Sequence, residues 1–176
     1  MVPPLIPVAR FLVKRLGILT DTLLALLAVV VAVLIGAATL FVVADVLWRL
    51  ILNESLGWVI EVCEYILTYI PFLGMAWLVR LGQGHIQVDI LLQALSFRAR
   101  CLLEGVAFIL VSLICVFVAY HGFFTTLTQY DRDVMTWGVY PVPKYLIVMA
   151  IPAGFTLTAI EFLRLSLERL NSAGRH

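Results

Sequence analysis

Charge is what this sequence has least of. Only 13% of its 176 residues are Asp, Glu, Lys or Arg, where a soluble domain carries roughly a quarter. The shortage is concentrated. Residues 22–44, 105–130 and 145–160 contain no charged side chain, and 58–79 has only Glu61 and Glu64. Cysteine is also sparse. Cys63, Cys101 and Cys115 form no CxxC pair and no metal-ligand spacing. On one helix, Cys101 and Cys115 would stand about 21 Å apart at ~1.5 Å per residue, beyond disulfide reach. They read as small apolar packing groups. Histidine occurs at 85, 121 and 176. Only His121 falls well inside an apolar run, so the chain has no histidine pair to hold a haem between facing helices. There is no Walker loop, no nucleophile–base pair and no phosphate-binding glycine loop, since Gly82-Gln83-Gly84 is too short. The net charge of +1 says little about partners, but no basic patch with interleaved aromatics occurs, so nucleic acid is not expected as one.

What is present is apolar length. The chain is 63% hydrophobic, with a mean hydropathy of +1.07. Runs of about twenty residues match a hydrocarbon core ~30 Å thick. The sequence therefore predicts an all-α integral membrane protein, one membrane domain over 1–176. Its four transmembrane helices fall at 22–48, 58–79, 101–129 and 144–165. Pro152 within the last run frees a backbone carbonyl and predicts a kink.

Two shorter pieces flank these spans. In 8–21, Arg10, Lys14, Gly17 and Asp21 fall at i, i+4, i+7 and i+11 and make one polar stripe. Asp89, Gln93, Ser96 and Arg100 repeat that spacing in 86–100. Both are expected to be amphipathic helices lying in the membrane interface. Orientation follows from the basic residues. Arg10, Lys14, Arg15, Arg80, Arg98, Arg100, Arg164, Arg169 and Arg175 fall on one side; Arg49, Arg132 and Lys144 fall on the other. This predicts both termini inside, with Trp48, Trp58, Trp137 and Tyr140 in an outer aromatic belt.

The residues open to a chemical role are few. Glu61 and Glu64 lie a turn or so inside the outer boundary. They could form an ion or proton site, or pair with Arg49 or with a partner protein. A proton relay needs another acid or histidine deeper in the membrane, and this span has none. Asp45 and Arg49 are spaced to pair. Glu104 and Glu161 lie at the depth of Arg80 and Arg164 and read as structural ion pairs. His121 reads as a hydrogen-bonded packing residue. Gly36, Ala37, Ala38, Gly74 and Ala76 are small enough to mark helix contacts. No cofactor or metal is expected.

The central stretch has a more specific pattern. A helix ends in Phe72-Leu73-Gly74, followed by Arg80, Gly82 and His85-Ile86-x-Val88-Asp89. Arg49, Trp58-x-x-Glu61-x-x-x-Tyr65, Pro141, Tyr145 and Ile151-Pro152-x-Gly154 accompany it. This resembles the small membrane subunit of tripartite ATP-independent periplasmic (TRAP) transporters, the DctQ-like family. Glu64 stands where that pattern expects no fixed acid. The resemblance implies a non-enzymatic scaffold in the bacterial inner membrane. Its partners would be a large DctM-like membrane subunit, which carries the substrate and sodium sites, and a periplasmic binding protein that delivers an organic acid. Arg49, Glu61, Glu64, Arg80, His85 and Asp89 would be structural or partner-interface residues. The alternative is a haem-free membrane anchor of a quinone-linked oxidoreductase.

Overall fold

The computed structural model describes residues 7–81 and 97–173, with 7–20, 97–99 and 171–173 described by their backbone alone. Five helices account for nearly all of it: α1 Pro7–Leu52, α2 Gly57–Leu81, α3 Phe97–Asp131, α4 Lys144–Val148 and α5 Ala150–Ala173. Four stretches are long and apolar enough to cross a membrane: Asp21–Leu52, Gly57–Leu81, Arg100–Asp131 and Lys144–Leu170. These are the four expected spans.

The boundaries differ in instructive ways. Residues 8–21, expected as an arm separate from the first span, are continuous with it in α1. No proline falls between Val8 and Leu52 to break the hydrogen-bond ladder. Most of the second expected arm, 86–100, lies outside the described residues; its last turn is the first turn of α3. The fourth span is interrupted at Met149, between α4 and α5. Pro152 explains the site. It has no N–H for the carbonyl of Val148, so the ladder loses a rung where the helix breaks.

Local chemistry ends the helices. Asn53 takes a positive φ of 58° and closes α1, its N–H bonding the Arg49 carbonyl at 3.1 Å. Asparagine tolerates this left-handed conformation better than most residues. Asp133, at φ 46°, does the same after α3. There the N–H of Val134 bonds the Gln129 carbonyl and that of Asp133 bonds the Tyr130 carbonyl, a Schellman cap. The following loop closes on itself through a bridge between Met135 and Pro143. It carries Trp137 fully exposed at its tip.

The spans do not close into a bundle. Among the described residues α1 packs chiefly on α2, α2 on α5, and α5 on α3. The spatial order is an open row, α1–α2–α5–α3. The most apolar stretch of α1, at one edge of the row, has no buried residue.

Small residues set each contact. On the α1–α2 side, the Cys63 thiol lies 3.9 Å from the Ala38 carbonyl, Gly74 faces Val31, and Phe41 meets Trp58 edge-on. On the α2–α5 side, Gly154 lies against the backbone carbonyl of Phe72, and the Phe72 and Phe155 rings are 5.8 Å apart. The α5–α3 contact holds the main core: Phe108, Cys115, Ala159 and Phe162. Ser112 and Ser166 donate across it to the carbonyls of Ala159 and Gly105, each at 3.0 Å. A Cβ added at Gly36 would meet nothing within 4 Å among the described residues, so this glycine marks no close helix contact there. All three cysteines are free and buried, as packing groups should be.

Candidate functional site

Polar side chains gather at the two ends of the row. At the end near the α1–α2 turn, Arg49 donates to Asp45 at 2.7 Å. Asp45 is 6% exposed, and its other oxygen accepts the N–H of Leu56 at 2.8 Å. One carboxylate thus holds both its helical neighbour and the far side of the turn. That second bond, eleven residues along the chain, is not a spacing that helical periodicity reveals.

Glu61 is not paired with Arg49. Its carboxylate accepts the N–H of Val139 at 2.6 Å and lies against Gly138. Gly138 has no side chain, so the loop backbone can come up to the carboxylate. The loop after α3 is thereby pinned over the start of α2. Tyr69 adds a second tie by donating to the Leu146 carbonyl on α4. Glu64, a turn deeper than Glu61, faces outward.

The opposite end carries a larger network. Asp21 on α1 bonds Arg80 on α2 and Arg164 on α5. Arg80 also lies 3.5 Å from Glu161, which is 2% exposed. Arg164 reaches Glu168 at 3.2 Å. Beside this set, Glu104 on α3 accepts from Arg100 at 2.9 Å and lies 3.3 Å from Arg169 on α5. The expected pairing of Glu161 with Arg80 is present. Glu104 pairs with Arg100 one turn back on α3 and with Arg169 on the neighbouring α5. Asp21 belongs to this network although the sequence suggests only an interfacial stripe; three elements meet at its carboxylate. His85 and Asp89 lie outside the described residues.

Among the described residues no polar route joins the two ends. Glu61 and Arg80 are about 28 Å apart along α2 at ~1.5 Å per residue. The hydroxyls of Thr39, Thr68, Thr125, Thr126, Thr128, Thr156 and Thr158 each bond a carbonyl one turn back on their own helix. His121 is exposed on α3, not packed inside. Its ring meets those of Phe117 at 4.4 Å and Tyr120 at 5.6 Å. Period 3.6 puts these three on the outer side of α3 once its inner side is filled by Phe108, Ser112 and Cys115. Among the described residues no group of three metal-ligating side chains occurs.

A geometry of polar clasps at the two ends agrees with the chain's similarities. The sequence model described as "Tripartite ATP-independent periplasmic transporters, DctQ component" matches residues 38–171. An ectoine TRAP transporter small permease protein of Halomonas elongata is 29% identical over 153 residues, covering 86% of this chain and 78% of its own. A C4-dicarboxylate TRAP transporter small permease protein of Vibrio cholerae is 25% identical over 174 residues, covering 87% of this chain and 73% of its own. No solved structure matches the chain.

Proposed function

The chain belongs to the DctQ component of tripartite ATP-independent periplasmic transporters, and from that membership we propose that it is the fixed scaffold of a sodium-coupled importer. It is a small permease subunit, a multi-pass protein of the bacterial inner membrane and not an enzyme. The oxidoreductase-anchor reading is set aside, since the family and both relatives are transporter permeases.

In the scaffold reading a large DctM-like subunit carries substrate and sodium. A periplasmic binding protein delivers an organic solute, and this chain braces the large subunit in the bilayer. The observation that carries the reading is the open row of helices, fastened at both ends and, among the described residues, without a polar path between them. Such a plank offers broad apolar surfaces for a neighbour.

Two measurements test this. In proteoliposomes a sodium gradient should drive no solute uptake by this chain alone. Uptake should appear once the large subunit and binding protein are added, and transport by the isolated chain would refute the scaffold role. The charge distribution supports both termini in the cytoplasm, so a reporter fused after His176 should be active there. Periplasmic activity would overturn that orientation.

A further inference from the structure

Inside the spans, away from their last residues, most carboxylates have partners and Glu64 does not. Asp45 bonds Arg49 and the N–H of Leu56, and Glu61 bonds the N–H of Val139. Glu104 pairs with Arg100 and Arg169, and Glu161 with Arg80. Glu64 is exposed, and among the described residues its carboxylate has no hydrogen-bonding or ionic partner. It lies about 10 Å below the start of α2 at ~1.5 Å per residue.

Its surroundings are apolar. Ile60, Leu67, Pro71 and Leu78 are all exposed and share its side of α2 by helical spacing. The other sides of the helix are taken. Cys63 and Gly74 face α1, while Phe72 and Arg80 face α5. Pro71 adds a second feature to the open side. It has no N–H to offer the Leu67 carbonyl, so that oxygen lacks its ordinary helical donor. One unpartnered stripe thus carries two acceptors, a carboxylate and a freed carbonyl, one turn apart at membrane depth.

We propose that this stripe is where the large permease subunit docks, through a membrane helix that presents an arginine or lysine to Glu64. The inference rests on reading the chain as a small permease subunit and adds the contact by which it holds its partner. Charge selects the occupant. Lipid chains would cover the leucines but offer no donor to an acid, and bare carboxylates inside a bilayer are costly. A second copy docked through the same stripe would set Glu64 against Glu64, because a two-fold contact is self-complementary. A cationic side chain on a partner helix answers the acid, and its spare N–H groups can reach the Leu67 carbonyl.

The test is recovery of the large subunit with a tagged small subunit, co-expressed and extracted in mild detergent. Glu64→Ala should lower that recovery about 3- to 30-fold, the range of a polar contact between membrane helices, and Glu64→Lys should lower it further. If wild type recovers the large subunit and both variants recover it equally, the inference fails while the subunit assignment stands. If wild type itself recovers none, the reading beneath it fails. A second experiment leaves Glu64 intact: a cysteine reagent on Leu67→Cys should cross-link to the large subunit. Cross-linking to another copy, or to nothing, would overturn the proposal.

Discussion

Arg80→Ala is expected to lower the stability of the folded protein by about 3 kcal/mol or more, the cost of stranding one member of a buried ion pair. The loss comes mainly through Glu161. That carboxylate is 2% exposed, and Arg80 is the cation within ion-pair distance of it, at 3.5 Å, with Arg164 acting on it from further away. Asp21 contributes less. Its side chain is 45% exposed and keeps Arg164 at 3.1 Å when Arg80 is removed, and exposed pairs are worth little. The double variant Arg80→Ala with Glu161→Ala should therefore recover most of the loss, since the stranded acid is gone. Thermal unfolding in detergent of the single and double variants reads this directly. Equal melting of Arg80→Ala and wild type would show that the network is ornamental.

Gly154→Val should be the other severe substitution. A Cβ built on Gly154 would overlap the carbonyl of Phe72, a backbone group that cannot rotate away. The whole of α5 would have to lift off α2. Overpacking of a tight contact costs about 1–3 kcal/mol, and a clash with main chain belongs at or above the top of that range. Two other glycines make the comparison informative. At Gly105 an added Cβ would meet the Leu170 side chain at 2.8 Å, a flexible group that can move, so Gly105→Ala should cost less. At Gly36 it would meet nothing within 4 Å. There alanine should stabilise by about 0.4–1 kcal/mol, through the entropy it removes from the unfolded chain. Melting temperatures in the order Gly36→Ala, Gly105→Ala, Gly154→Val, from high to low, are expected. A Gly154→Val protein as stable as wild type would mean that α2 and α5 do not touch there.

The spans themselves were legible because lipid solvation writes itself into composition: a charge-free run of the right length has few other uses. The Asp45–Arg49 pair was legible because helical spacing alone brings the two side chains together. The break near Pro152 was legible for a covalent reason. The lateral order of the helices was not, since apolar surfaces look alike from sequence. That order decides the remaining partners. Glu61 meets a loop backbone nearly eighty positions away, and peptide N–H groups leave no mark in a sequence. Glu104 meets Arg169 because α3 borders α5. His121 was expected inside, but the inner side of α3 is occupied by Phe108, Ser112 and Cys115.

The open row also has a history imposed by the ribosome. Its spatial order, α1–α2–α5–α3, is not the order in which the helices are made. When α3 enters the membrane, the helix it will chiefly pack on has not yet been synthesised. The first two spans can form a hairpin, but Arg80 then waits beside Asp21 for Glu161, which arrives with the last helix. Synthesis of α5 is thus the event that joins two separate pieces of this chain, α1–α2 and α3.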